Sequence, residues 1–319
     1  MKSNPDLIIS MTTIPSRFEQ LKYVIESIVN QTIFDKVKYF YINLQDNMSE
    51  EQIQKYYDTY GNINEKIVFK VVDHKWRSAC KLIPILENHR DDAIITVDDD
   101  IKYPSDILAA LYNKWKLFPN TIVSIESNPI TIENNEIRNI FDMVDLKFEQ
   151  IGFSKFLSGA CLFCPNCFSD EVFDFEKFMK VTNGLHDEIW FWINSTLNNV
   201  KSICLDYTYS LELDEDVTFP RDKDALSNIN GKPDANDDYN KRINEYYGER
   251  LIAKIKENAI IFIVTNQNII GICNSLETIH KLYGEFNIVF ATANIRLSWK
   301  KYLSYHLKRF NWSGQIRLI

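Results

Sequence analysis

The sequence predicts an α/β protein with a mixed, mainly parallel sheet flanked by helices. Short apolar runs alternate along the chain with amphipathic helical patterns, as they do in successive βα units. Residues 93–97 are apolar throughout, which is typical of a strand buried on both faces. Three consecutive carboxylates, Asp98, Asp99 and Asp100, follow directly. Because ligands of open α/β sheets gather beyond the carboxyl ends of strands, we expect a ligand site at this triplet.

The first part of the chain is expected to supply the parallel strands. Apolar runs predict strands at residues 7–11, 38–44, 67–72 and 93–97, with helical patterns at about 21–29, 49–57 and 82–86. The first strand runs into the polar loop 12–17 and then a helix. Strand, polar loop and helix in this order are typical of a nucleotide-binding βα unit, since loop amides and a helix start then face the ligand.

The second part continues the α/β pattern with more irregular stretches. A helix is expected from about Ser105, strands at 121–125, 156–163 and 200–205, and helices at 169–180 and from 184 onward. Residues 127–150 are polar and predict a loop or hairpin excursion near the site. Residues 214–240, rich in Asp, Asn, Pro and Lys, predict a mobile loop or lid.

The last part of the chain differs from the rest, which suggests a boundary near residue 250. We expect one large α/β domain over residues 1–250 and a small α/β extension, or the start of a further domain, over 251–319. The extension has β-α-β character, with strands at 260–264 and 288–290 and a helical stretch at 272–282. Residues 286–319 contain no acidic residue, and 296–317 is basic and aromatic. That segment could contact an anionic membrane surface, or pack on its own protein through the aromatic side chains.

Composition excludes some classes of protein. The 319 residues are 45% hydrophobic and 25% charged, as in ordinary globular proteins, and the net charge of −8 argues against a nucleic-acid binder. No apolar stretch is long enough to span a bilayer and no signal segment is apparent, so we expect a cytoplasmic protein, with the inner membrane face open as a location. The six cysteines are then expected to be thiols. Cys161, Cys164 and Cys167 have a metal-ligand spacing, but their apolar surroundings favour buried thiols.

The carboxylate triplet has two interpretations. Three acids at the end of a central strand repel one another unless a cation lies between them, and a divalent cation that also bridges phosphate oxygens would serve. The alternative is a loop whose Asp residues cap the next helix.

Four motifs occur along the chain in the order of a known family. They are residues 10–17, Asp73 followed by Lys81 and Pro84, residues 97–104, and residues 159–165 followed by 186–190. In this order they resemble bacterial GT-A-fold glycosyltransferases of capsule and lipopolysaccharide biosynthesis, which are inverting, family 2-like enzymes. The resemblance covers residues 6–205. Two departures are that residues 74–80 lack the Gly-Pro of the family and that Glu188 replaces a frequent Asp.

The resemblance implies a Rossmann-like GT-A fold, a nucleotide-diphosphate sugar donor, with UDP as the expected carrier, and a polysaccharide or lipid-linked saccharide acceptor. It implies Mn²⁺ or Mg²⁺, with Asp100 as the direct metal ligand and Asp98 as a metal and ribose contact. The donor would be bound by Thr12, Thr13, Arg17, Asp73, Lys81, Asp98 and Asp99. At the acceptor side Asp187, or else Glu188, would take the acceptor proton as general base in a direct, inverting displacement.

Several of these roles have structural alternatives. Asp187 and Glu188 could be a helix-capping pair, and Arg17 a solvated residue at a helix start. Two other functions also stay open, a metal-dependent sugar nucleotidyltransferase and a non-catalytic binding module derived from a transferase. A nucleotidyltransferase usually has a Gly-rich loop after the first strand, and residues 12–17 contain no glycine.

Overall fold

The structure, a computed structural model, describes residues 4–128, 130–133, 135–138, 155–156, 159–205, 233–258, 260–264, 287–291 and 316–318. The chain divides into two compact units. The first comprises Met1–Ile130 and Ile140–Tyr246, and the second comprises Thr131–Asn139 and Tyr247–Ile319.

The first unit is a sheet of seven strands with flanking helices. The strands are β1 (Leu7–Thr13), β2 (Val37–Gln45), β3 (Ile67–Val72), β4 (Ala93–Val97), β5 (Thr121–Ser124), β10 (Ala160–Phe163) and β11 (Lys201–Cys204). The short strands β6 (Ser127–Asn128) and β9 (Lys155–Phe156) pair apart from this sheet. The helices are α1 (Phe18–Val29), α2 (Glu50–Tyr60), α3 (Ile83–His89), α4 (Ile107–Leu117), α5 (Phe175–Thr182), α6 (Asp187–Leu197) and α7 (Pro233–Ile243).

The sheet order is β11-β5-β10-β4-β1-β2-β3. All neighbouring pairs are parallel except those of β10, which runs antiparallel to both β4 and β5. The prediction of a mixed, mainly parallel α/β sheet is therefore confirmed. All five residues of β4 are buried, as expected for a central strand.

This topology brings three chain segments to one edge of the sheet. Ser10 of β1 lies beside Thr96 of the parallel strand β4, so the carboxyl ends of both strands meet. Ala160 lies opposite Val97, so the amino end of the antiparallel β10 arrives at the same place. The Asp98–Asp100 triplet is therefore flanked by the loop after β1 and by the start of β10.

Several predicted boundaries differ from the structure. Helix α4 begins at Ile107, two residues after the expected start near Ser105. The helix expected at 169–180 is a 3-10 turn, Asp170–Phe173, followed by α5, because the Asp174 carboxylate accepts a hydrogen bond from the Lys177 N–H at 3.0 Å and starts a new helix. The strand expected at 156–163 is interrupted at Gly159, whose φ of +108° is incompatible with a continuous strand. The expected loop 214–240 is helical from Pro233, and residues 206–232 lie outside the described part.

The second unit contains the hairpin β7 (Thr131–Glu133) and β8 (Glu136–Arg138), and helix α8 (Glu249–Asn258). It also holds a parallel sheet of β12 (Ile260–Val264), β13 (Asn287–Ala291) and β14 (Ile316–Leu318), in that order. A π-helical turn, Asn244–Gly248, precedes α8. The helix expected at 272–282 and nearly all of the basic segment 296–317 lie outside the described residues. Among the described helices none is long and apolar enough to cross a membrane.

Candidate functional site

Asp98 is held at the end of β4 by contacts to both of its carboxylate oxygens. Its Oδ1 lies 3.1 Å from Nζ of Lys81, and its Oδ2 accepts a 2.8 Å hydrogen bond from the Gly159 N–H. The Asp98 N–H donates to the hydroxyl of Tyr103 at 2.8 Å, and that hydroxyl in turn donates to the Gly159 carbonyl. Asp98, Tyr103 and Gly159 therefore form a closed set of hydrogen bonds that joins β4 to the start of β10.

Lys81 lies between two carboxylates. Its Nζ is 3.1 Å from Oδ1 of Asp98 and 3.1 Å from Oδ2 of Asp187, the first residue of α6. Lys81 is the last residue of a 3-10 segment, His74–Lys81. Burial disfavours its charge, but Asp187 and then Asp98 outweigh that effect and raise the pKa of Lys81 well above its ordinary value. The lysine is therefore a fixed cation inside a carboxylate cluster.

Arg17 faces the other two members of the triplet. Its guanidinium forms an ion pair with the Asp99 carboxylate and lies 3.1 Å from Oδ2 of Asp100. Burial raises the pKa of Asp99 to about 6 despite the opposing effect of Arg17. Burial, and then the charge of Asp98, also raise the pKa of Asp100. The site therefore holds more negative charge than its own cations neutralise.

The donor atoms around Asp100 suit a hard divalent cation. Carboxylate oxygens are the ligands that Mg²⁺ and Mn²⁺ take, and the Asp100 side chain is 37% exposed. Asp98 differs, because Lys81 and Gly159 engage both of its oxygens. The carboxylates of the triplet do not converge on one point. Among the described residues, the converging set of ligand atoms is instead the exposed group Asp46, Asp73 and His74.

Asp73 lies at the start of the 3-10 segment that leads to Lys81. Its carboxylate accepts from the Lys75 N–H at 3.0 Å, and its second oxygen lies 2.7 Å from the Lys75 ammonium. These contacts lower the pKa of Asp73. The predicted donor contact thus lies on the exposed end of the segment, while Lys81 at its other end enters the carboxylate cluster.

Thr12 and Thr13 end strand β1 with their side chains in different surroundings. The Thr12 hydroxyl donates to the Asn43 carbonyl at 3.2 Å and is half-buried. Thr13 is buried. Burial raises the pKa of both Asp99 and Tyr56, and the Thr13 hydroxyl partly opposes that rise in each. It therefore lies beside the Arg17–Asp99 pair.

Asp187 and Glu188 open α6 at the edge of a narrow crevice. Its wall includes Lys81, Asp98, Gly159, Cys161, Asp187 and Glu188. Asp187 is only 2% exposed, and although burial disfavours its charge, the Lys81 ammonium lowers its pKa. Glu188 is half-buried at the same wall. The two predicted base candidates therefore lie at the same wall of the crevice, but Asp187 is buried against Lys81 whereas Glu188 is only half-buried.

Sequence reasoning missed the roles of Tyr103 and Gly159. Both belong to quoted motifs, yet nothing in a single sequence signals that a tyrosine hydroxyl will link two strands. Cys161, Cys164, Cys167 and Cys204 are buried free thiols, and burial raises the pKa of Cys161 and Cys167 well above the ordinary value. They behave as small apolar side chains of the core.

Comparison with known proteins does not show a family for this chain. No family model matches the chain, and no curated protein matches it. Among solved structures, it is similar to the crystal structure of 4-diphosphocytidyl-2C-methyl-D-erythritol synthase, with a TM-score of 0.39 and 12% identity over 70% of this chain and 96% of that one. At this distance the likeness carries no argument about this chain.

Proposed function

We propose that the protein is a metal-dependent glycosyltransferase that moves a sugar from a nucleotide-diphosphate donor, a UDP-sugar, to a saccharide acceptor of a surface polysaccharide. The observation that carries this proposal is the Asp98–Asp100 triplet at the carboxyl end of β4, faced by Arg17 from the loop after β1. Excess carboxylate charge beside a guanidinium suits a ligand that brings both a cation and phosphate groups.

The departing diphosphate would be met by cations from two elements. Arg17 has the planar donor geometry that pairs with phosphate oxygens, and Thr12 and Thr13 end the strand that leads into the turn of Arg17. Lys81 adds a fixed positive charge, held by Asp98 and Asp187. Asp100 would hold the divalent ion, with Asp99 beside it. When bound, this ion supplies Lewis-acid stabilisation of the charge that builds on the leaving group.

Glu188 is the better general base of the two candidates. The carboxylate of Asp187 is committed to Lys81, and its lowered pKa makes it a weak proton acceptor. Glu188 lies at the crevice wall and is more exposed. We therefore propose that Glu188 takes the proton of the acceptor hydroxyl and that Asp187 holds Lys81 in position. A base on the face opposite the leaving diphosphate gives inversion at the anomeric carbon.

A thermal-shift panel tests the proposal. The wild-type protein is titrated with Mn²⁺ and UDP, GDP or CDP, and with UTP plus sugar phosphates. We expect UDP to raise the melting temperature only when Mn²⁺ is present, and we expect Asp100→Asn to lose this response. Asp106→Asn is the matched control, because Asp106 is exposed, makes no side-chain cap and lies in the same loop.

The same panel separates the competing functions. Stabilisation only by UTP together with a sugar phosphate would indicate a nucleotidyltransferase instead. The absence of any nucleotide response would indicate a non-catalytic module. Where UDP and Mn²⁺ act together, hydrolysis of a panel of UDP-sugars in the presence of Mn²⁺ identifies the donor, with Asp100→Asn as the inactive control.

A further inference from the structure

Arg17 occupies the space between two carboxylates of the triplet. Its guanidinium contacts Asp99 and lies 3.1 Å from Oδ2 of Asp100. The arginine side chain is 12% exposed and that of Asp99 is 9% exposed, so this is a largely buried ion pair. Arg17 ends the 3-10 turn Pro15–Arg17 and directly precedes α1, which fixes its backbone while leaving a long side chain to reach the triplet.

We propose that Arg17 is an internal substitute for the divalent ion, and that it leaves Asp100 when metal and nucleoside diphosphate bind together. This inference rests on the proposed function, because it assigns the regulation of the same site. A guanidinium and a divalent ion repel each other, so a guanidinium 3.1 Å from Oδ2 of Asp100 weakens the binding of a metal ion at that carboxylate. In the free protein Arg17 therefore competes with the metal.

The diphosphate removes this competition. Arg17 can exchange a carboxylate for phosphate oxygens, which match the guanidinium fork equally well. The metal ion can then bind Asp100 without a competing cation, and Arg17 remains paired with the phosphate oxygens. Metal and nucleotide should therefore strengthen each other's binding, and linkage requires that the coupling be the same in both directions.

Mn²⁺ binding, followed by the EPR signal of the free ion, tests the inference without an activity assay. The titration is made with and without UDP on the wild-type protein, Arg17→Met and Arg17→Lys. Without UDP, we expect Arg17→Met to bind Mn²⁺ about tenfold more tightly than wild type. With UDP, we expect wild-type affinity for Mn²⁺ to rise about tenfold and that of Arg17→Met to rise about twofold or less.

Arg17→Lys keeps a positive charge beside Asp99, so it allows the inference to be tested even if Arg17→Met does not fold. One ammonium reaches the two carboxylates less well than the guanidinium, so its Mn²⁺ affinity without UDP should lie between the other two. Lys38→Met is the charge-matched control, because the exposed Lys38 pairs with Asp6 at 2.8 Å. It should bind Mn²⁺ as wild type does.

The outcomes separate this inference from the proposed function. Equal or weaker Mn²⁺ binding by Arg17→Met, with UDP-dependent binding retained in wild type, overturns the competition and leaves the transferase proposal intact. Unchanged coupling in Arg17→Met also overturns it. No Mn²⁺ binding by any variant, with or without UDP, overturns both.

Discussion

Nζ of Lys81 lies 3.1 Å from Oδ2 of Asp187, and both side chains are almost excluded from solvent. Lys81→Met would leave Asp187 and Asp98 charged and without their shared cation. We expect the free energy of unfolding to fall by about 3–5 kcal/mol, measured by urea denaturation. Lys38→Met, which breaks an exposed pair, should cost about 1 kcal/mol or less. Equal losses in the two variants would contradict a buried, committed lysine.

The carboxyl of Asp99 predicts an unusual pH dependence. Burial raises its pKa to about 6, so between about pH 4 and pH 6 the folded state binds more protons than the unfolded state. Its contribution to stability is present below this range and is lost as the pH rises through it. Asp99→Asn removes the effect.

Unfolding free energies of wild type and Asp99→Asn, measured from pH 4 to pH 7, check this. The stability of Asp99→Asn relative to wild type should increase by about 2–3 kcal/mol up to pH 6 and then level off. A difference that does not change with pH would show that Asp99 titrates normally.

Substitutions of Glu188 and Asp187 should have different effects, the first on the transfer rate and the second on stability. If Glu188 takes the acceptor proton, Glu188→Gln should lower the transfer rate by about 10²–10⁴ and leave the melting temperature near that of wild type. Asp187→Asn should lower the melting temperature, because Lys81 loses one of its buried partners. Transfer and thermal unfolding of both variants are compared. A slow Asp187→Asn with normal stability, beside an active Glu188→Gln, would reverse the assignment.

Tyr103 should contribute stability through its hydroxyl. Tyr103→Phe leaves the Asp98 N–H and the Gly159 carbonyl without this partner. We expect a loss of about 1–3 kcal/mol in the free energy of unfolding. Tyr246→Phe, at a residue 45% exposed, should change it by about 0.5 kcal/mol or less. A Tyr103→Phe variant as stable as Tyr246→Phe would rule out the link between the two strands.

Arg77 has backbone dihedral angles that are common for glycine and rare for other residues. Its φ is +49° and its ψ is −121°, inside the segment His74–Lys81. Such strain costs about 1–3 kcal/mol, and a glycine there loses about 0.5–1 kcal/mol through its greater freedom when unfolded. Arg77→Gly should therefore raise the free energy of unfolding by about 1 kcal/mol, measured by thermal or urea unfolding. Arg77→Ala, which keeps a Cβ, should show no such gain.

The fold was predictable because its signals are local and strong. The fully apolar run of β4 and the amphipathic face of α1, with Leu21, Val24 and Ile28 buried, depend only on neighbours in sequence. The antiparallel direction of β10 was not predictable, since a buried strand of four residues has the same apolar composition in either direction.

The site was predictable as a set of residues but not as a set of pairs. The four motifs contain the triplet, Arg17, Lys81 and Asp187, and these residues do lie together at one edge of the sheet. That Lys81 would bind Asp98 and Asp187, while Arg17 binds Asp99 and Asp100, depends on side-chain reach between segments that the fold brings together. Arg17 and Asp99 are 82 residues apart in sequence, and Lys81 and Asp98 are 17 apart. No spacing along the chain specifies such a choice of partner.

The hydrogen bond from the Gly159 N–H to Asp98 has a donor that belongs to the main chain. It therefore persists whichever side chain position 159 carries, as long as the backbone keeps its course there. With φ at +108°, that course strongly favours glycine. Selection at position 159 would accordingly act on the conformational freedom of the backbone. A mutational scan would find that this position does not tolerate substitution, although glycine has no side-chain functional group.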